Sequence, residues 1–228
     1  MIYYDEDGNA KIINKGRKFY QVHDGNIEHI KSSKIYSGIY RLGLDRCIKI
    51  LDDKNNVDLE MMKTVRGLNI AGLYQLRDFL FNMDDKFVAY MMNYYKRENI
   101  DLFSQGVDYT IYNYLRLERA MKLLGDNLIC VNDLHDGNVI LTDSEIIMID
   151  IDNYYRGDKY KEEKVKRYNL RRLNELFITL YKCDLAYYYG RYYKSVEGSI
   201  EEVFTSSDKM VKTLSKYKCP GEYFMKWH

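Results

Sequence analysis

The stretch "VNDLHDGNVILTDSEIIMIDID", Val131 to Asp152, sets polar side chains at the ends of two apolar blocks, Val139 to Leu141 and Ile146 to Ile149. The polar set is Asp133, His135, Asp136 and Asn138 before the first block, then Asp150 and Asp152 after the second. Carboxylate and amide oxygens are hard ligands for a divalent cation, and a carboxylate or an imidazole can take up a proton. The same residue types also favour turns, so Asp133 and Asn138 around Gly137 have a reading with no chemistry in it. His135 serves either as a base or ligand, or as a residue that orders the loop by hydrogen bonding. The rest of the chain must decide between a metal site, a catalytic loop and an ordinary turn.

The elements around this stretch change character along the chain. "AKIINKG" and "KFYQVHDGNIEHIKSS" read as strands broken at Asp-Gly and Gly-Asn turns, and "KIYSGIYRLGLDRCIKIL" as three short strands with breaks at Gly38 and near Gly43 to Asp45. "NNVDLEMMKTVRGL" puts Leu59, Met62, Val65 and Arg66 at helical spacing, with Gly67 as the stop. "LYQLRDFLF" and "KFVAYMM" are two more strands joined by the polar turn "NMDD". From Ile100 the period is helical. "YTIYNYLRLERAMKLLG" sets Ile111, Leu115, Leu117, Met121 and Leu124 roughly on one side and ends at Gly125. The quoted stretch follows as loop, strand, turn at Asp143 and Ser144, and strand. Then come a charged segment, a second apolar helix "NLRRLNELFITLYK" and a tail from Tyr187 to His228 that reads as one or two further helices. The linker "MNYYKREN" divides a β-rich region, 1–92, from a mainly helical one, 93–228.

Composition excludes several classes. At 228 residues the chain suffices for one large domain or two small lobes. A formal net charge of +1 provides no field for nucleic acid or an anionic membrane. The scattered Cys47, Cys130, Cys183 and Cys219 form no C-x-x-C pair, which disfavours zinc and disulfides and fits a reducing compartment. The opening "MIYYDEDGNAK" is too polar for a signal peptide, and no apolar run approaches the roughly 20 residues that span a bilayer. A cytoplasmic protein is expected.

In this order the residues resemble the protein-kinase-like superfamily. "VNDLHDGNVIL" resembles the catalytic loop H-R-D-x-x-x-x-N, with Asp133 and Asn138 at that motif's spacing. Its form D-L-H-x-G-N is similar to the loops of aminoglycoside and choline phosphotransferases and of atypical kinases. "IDID" resembles the D-F-G segment, "RCIKIL" resembles V-A-I-K, and "YNLRRLNELF" resembles the long buried helix beneath a kinase active site. The resemblance runs from about Lys34 to Leu180, and the ordered co-occurrence is more specific than any one motif.

The resemblance implies a two-lobed α+β, protein-kinase-like fold, with a small β-rich N-lobe holding one helix and a mainly helical C-lobe. It implies an ATP- and Mg²⁺-dependent kinase whose acceptor hydroxyl belongs to a protein serine or threonine or to a small-molecule alcohol. Asp133, Asn138 and Asp150 would be catalytic, with Asn138 and Asp150 holding the metal. Lys49 would contact the α/β-phosphates with Glu60 as its partner, and Gly38 would belong to a reduced glycine-rich loop, "YSGIYRLG". No nucleic acid and no membrane span enter as partners. The departures are Val131 where protein kinases have histidine, Ile151-Asp152 in place of Phe-Gly, and no A-P-E motif. Two other readings stay in view. One is a nucleotide-binding module of the pseudokinase type. The other is a metal-dependent glycosyltransferase with "DID" as its D-x-D motif.

Overall fold

The structure, a computed structural model, describes residues 1–52, 57–98, 100–102, 105–189 and 201–216, without the side chains of 185–189. The chain divides into two compact units, one of Met1–Asn69 with Tyr74–Tyr95, the other of Ile70–Leu73 with Lys96–His228.

The first unit is built on nine strands: β1 (Ile2–Tyr4), β2 (Ala10–Lys15), β3 (Lys18–His23), β4 (Asn26–Ile30), β5 (Ser32–Tyr36), β6 (Ile39–Leu42), β7 (Arg46–Ile50), β8 (Leu76–Phe81) and β9 (Phe87–Asn93). All pair antiparallel in the spatial order β4-β3-β2-β1-β8-β9-β7-β6-β5. The two edge strands, β4 and β5, are joined in sequence by the single residue Lys31, so the sheet curls until its edges nearly meet. Alternating residues fill the interior: Tyr3, Ile12, Phe19, Ile30, Leu42, Ile48, Leu80, Ala89 and Met91 form one buried cluster.

Helix α1 (Leu59–Leu68) belongs to this unit. Asp58 caps its start by accepting from Met61 N–H at 2.9 Å, and Asn69, left-handed at φ 45°, ends it. Met61, Met62 and Val65 are its buried face. Arg66 and Lys63 both reach Glu6 in the β1–β2 turn.

This architecture corrects the expected fold class. The chain is β-rich, with a nearly closed, barrel-like sheet of nine antiparallel strands and a few helices. It is not a two-lobed protein-kinase-like fold with a small β-rich N-lobe and a mainly helical C-lobe. The reason lies in the residues before Lys34, which the resemblance left out and which supply β1 to β4 and the start of β5. Strand β1 decides the outcome. It pairs with β2 on one side and β8 on the other, and so fuses the N-terminal hairpins with β8, β9, β7, β6 and β5 into one sheet.

The second unit holds α2 (Val107–Asp126), β10 (Ile129–Cys130), β11 (Val139–Leu141), β12 (Ile146–Met148), β13 (Tyr155–Arg156), α3 (Glu162–Tyr189) and α4 (Ser207–Leu214). Strands β10 and β13 pair, as do β11 and β12. Helices α2 and α3 pack against each other, and Tyr114, Phe177, Tyr181 and Phe204 form a ring cluster with centroids 5.1–5.9 Å apart. Of the expected helical tail, α4 is described; much of the remainder lies outside the described residues. Among the described residues no helix is long and apolar enough to cross a membrane.

Candidate functional site

Strand register assembles the site in the second unit. Val139 pairs with Met148 and Leu141 with Ile146, and Ile149 N–H donates to the Asn138 carbonyl at 2.9 Å, adding one rung at the open end of the hairpin. Val139, Leu141, Ile146, Ile147 and Met148 are all buried. Successive residues of β12 are buried on both faces, and the ladder from Val139–Met148 to Leu141–Ile146 defines the register. With it, Asn138 is fixed next to the residue that precedes Asp150.

Both flanking carboxylates sit on left-handed backbone, Asp133 at φ 54° and Asp150 at φ 61°. This conformation costs an ordinary L-residue on the order of 1 kcal/mol or more, less for Asp, and persists where the surroundings enforce it. Between them, Asp136–Asn138 form a 3₁₀ turn that His135 caps, its Nδ1 accepting from Gly137 N–H at 3.0 Å. A neutral ring accepting at Nδ1 carries its proton on Nε2, and Nε2 lies 3.7 Å from Asp133 Oδ1. A Cβ at residue 137 would meet His135 Cε1 at 2.7 Å, so a side chain there would push the ring aside. Asn138 is buried; its Nδ2 donates to the Asp133 carbonyl at 2.8 Å and approaches Asp133 Oδ2 at 3.4 Å. The planar amide therefore turns its oxygen away from Asp133.

After Asp150 the chain turns at once into a second 3₁₀ turn, Ile151–Asn153. Asp150 and Asp152 are therefore not a same-face pair of a continuing strand. Tyr154 N–H closes the turn on the Ile151 carbonyl at 3.0 Å. The Tyr154 side chain is buried, and its hydroxyl has no hydrogen-bond partner among the described residues. Burial and the nearby Asp150 carboxylate both push its pKa upward.

Two fully buried asparagines hold these segments on the helices. Asn169 of α3 accepts from Val131 N–H at 2.9 Å and donates to the Ile129 and Met121 carbonyls at 2.9 and 3.2 Å, tying the loop's entry to β10 and the end of α2. Asn113 of α2 accepts from Ile146 N–H at 2.8 Å and donates to Tyr109 O at 2.9 Å. Beside it, Arg116 pairs with Glu145 and donates to the Ile146 carbonyl, so β12 is clamped along its first residue. Neither asparagine, nor Arg116 or Tyr154, stood out in the sequence. The available signal was a polar residue inside an otherwise apolar helical face.

The remaining predicted residues lie in the first unit. Lys49 is on β7, opposite Ile39 of β6 and Tyr90 of β9. Gly38, in the β5–β6 turn at φ 73°, accepts from Ile50 N–H at 2.8 Å, and a Cβ there would meet the Ile50 carbonyl oxygen at 2.9 Å. The structure thus brings Gly38 and Lys49 to the same end of neighbouring strands. Glu60 is exposed in the first turn of α1, and its carboxylate is taken by Lys63 at 3.0 Å.

Among the described residues no group of three or more His, Cys, Asp or Glu converges on a metal-sized space. A Mg²⁺ ion bound with a nucleotide asks for less, one or two protein oxygens, with phosphates and water completing an octahedron. Asn138 Oδ1 and the Asp150 carboxylate are donors of that class, on adjoining segments. In donor type these residues suit that ion. No protein-family model matches this chain, and no curated protein sequence matches it.

Proposed function

We propose that the chain is an ATP-dependent phosphotransferase that moves the γ-phosphoryl group of a magnesium-bound nucleotide to a hydroxyl acceptor. The observation that carries the reading is the pair of aspartates held in left-handed backbone, Asp133 and Asp150, on either side of the buried Asn138. Strain of this kind clusters where side chains must be aimed.

Phosphoryl transfer asks a protein for positioning and charge neutralisation more than for covalent chemistry. Mg²⁺, when bound, would neutralise charge on the transferring phosphoryl group. Asn138 and Asp150 are the residues that would hold it. Asp133 is solvent-accessible, and its role is to accept or orient the proton of the acceptor hydroxyl. Its carbonyl oxygen is pinned by Asn138 Nδ2, so base and metal ligand move as one piece. His135 orders the loop through Gly137. Lys49 and Gly38 lie in the first unit, and the reading does not depend on them. The reading does not depend on Glu60, which Lys63 engages.

The test is incubation with γ-labelled ATP and cell extract, with protein and metabolite label resolved separately. The expected result is Mg²⁺-dependent label on one class of acceptor, reduced about 10²–10⁴-fold by Asp133→Asn while nucleotide affinity holds. Nucleotide binding without any transfer would leave a binding module only. Metal-dependent binding of a sugar nucleotide in preference to ATP would refute the proposal.

A further inference from the structure

From Tyr155 to Arg172 the chain carries eight lysines and arginines against three aspartates and glutamates, although its formal net charge is only +1. The excess is concentrated on one surface of the second unit. Lys164, Arg167, Tyr168 and Arg171 follow helical spacing along one side of α3, and the segment before the helix adds Lys159, Tyr160 and Lys161. All of these but the half-buried Tyr168 are exposed.

A run of charge is ordinarily a solvated face whose ions neutralise one another. Here the acids are engaged elsewhere. Glu162 and Glu163 reach Lys166, and Glu175 takes Arg171 and Arg172 at 3.5 and 2.8 Å. Lys159, Lys161, Lys164 and Arg167 have no carboxylate partner among the described residues.

This face adjoins the proposed base. Tyr168 donates its hydroxyl hydrogen to Asn132 Oδ1 at 3.5 Å, and Asn132 directly precedes Asp133; both are exposed. The next residue of α3, Asn169, holds the Val131 N–H, so helix and loop keep their spacing. Along the helix Lys164 and Arg171 lie roughly 6 and 4.5 Å either side of Tyr168, a distance that an extended peptide at about 3.3 Å per residue covers in one or two positions.

The rings favour one class of anionic partner. Lys164 Nζ sits 4.3 Å from the centroid of the Tyr160 ring, and the Arg171 guanidinium 5.7 Å from that of Tyr168. Single-stranded nucleic acid stacks its bases on bare aromatic faces, and here the protein's own cations stand over the rings. The rings serve instead to hold cations in place, the arrangement that clustered basic side chains need to recognise carboxylates.

We propose that this basic face of α3, with the segment before it, docks the acidic flank of a protein acceptor, a peptide with aspartates and glutamates beside its serine or threonine, and so leads the hydroxyl to Asp133. This rests on the assignment of Asp133 as the base of a phosphotransferase.

The test uses the full chain and two fluorescein-labelled peptides, a serine flanked on both sides by glutamates and the same sequence with glutamines. Binding is read by fluorescence anisotropy without nucleotide, and transfer of label from γ-labelled ATP is read separately. The expected result is that the glutamate peptide binds about 10-fold or more tightly than the glutamine peptide, and that Lys164→Glu/Arg167→Glu removes the preference while ATP affinity and melting temperature hold. Should that variant fail to fold, Lys164→Gln/Arg167→Gln replaces it with the same readout. Equal binding of the two peptides by the parent, or an undiminished preference in the variant, overturns the inference. So does tighter binding of a labelled oligouridylate that the same substitutions abolish, which would make the face a nucleic-acid site. A preference for the glutamate peptide with no transfer of label to any acceptor removes the acceptor role through failure of the phosphotransferase reading, a result distinct from loss of the preference.

Discussion

Asn169 offers the sharpest link between the fold and the site. It is fully buried and makes three hydrogen bonds, accepting from Val131 N–H and donating to the Ile129 and Met121 carbonyls. Replacing it with leucine keeps the volume and removes all three. The Val131 N–H then has no acceptor in a dry environment, at about 1–3 kcal/mol. The Ile129 carbonyl adds a smaller amount, since a carbonyl tolerates a missing partner better than an N–H. The Met121 carbonyl, within α2, adds least. The total comes to about 3 kcal/mol, a large share of the roughly 5–15 kcal/mol that holds a domain together. Asn169→Ala should cost at least as much, because it adds a cavity. Asn169→Asp should be the worst of the three, since it keeps the acceptor for Val131 but turns a buried charge toward two carbonyl oxygens. Urea unfolding followed by circular dichroism reads these differences as shifts in midpoint at constant slope. An Asn169→Leu variant within about 0.5 kcal/mol of the parent would refute the anchoring role.

Gly137→Ala should displace the His135 ring and weaken the loop by about 1–3 kcal/mol; in a His135→Ala background the same change should cost less, as unfolding of the double-mutant cycle would show. Burial pushes the Cys47 thiol from its ordinary value near 9 up to about 12. The unfolded thiol loses its proton first, so between those pH values the native state binds more protons and stability must fall as pH rises. Cys47→Ala should flatten that alkaline slope by about one proton, measurable from unfolding midpoints across pH 9 to 12, and an unchanged slope would place the titration elsewhere. Removing the Arg116 guanidinium with Arg116→Met should free Glu145 and loosen β12 while leaving Asp133 and Asp150 in place, seen as faster hydrogen exchange at Ile146 and Ile147 while the exchange of Asn169-anchored Val131 holds.

The local pattern was legible wherever periodicity and turn chemistry agreed. The Asp24-Gly25 turn, the hairpin from Val139 to Met148 and the helix after Asp58 all follow from residue types at fixed offsets. What could not be read was long-range. Strand β1 is three residues before an acidic turn, too short to show a period, and only its pairing with β2 and β8 makes one sheet of nine strands. The helices run one residue past the glycine stops: Gly67 and Gly125 both lie inside helices, and the left-handed Asn69 ends α1. The buried face of α2 contains Thr110 and Asn113 where an apolar count chose Ile111 and Leu115, because their hydrogen bonds to Tyr181 and Ile146 satisfy them there. The site's acidic and amide residues were visible as types. The left-handed backbone at Asp133 and Asp150, and the asparagines that hold their segments, were not.

The measurement closest to the central claim is a Mg²⁺ titration of ATP-dependent turnover in Asp150→Ala, Asn138→Ala and Asp152→Ala. Asp150 and Asn138 lie on the two segments joined by the last rung of the hairpin, whereas Asp152 lies within the following 3₁₀ turn. Loss of a direct ligand to a hard cation should abolish metal-dependent turnover, and loss of a peripheral carboxylate should cost far less. The account predicts Asp150→Ala nearly inactive, Asn138→Ala strongly impaired and Asp152→Ala the mildest. Equal loss in both aspartate variants with Asn138→Ala at full activity, and metal-dependent binding of a sugar nucleotide in place of ATP, would contradict it.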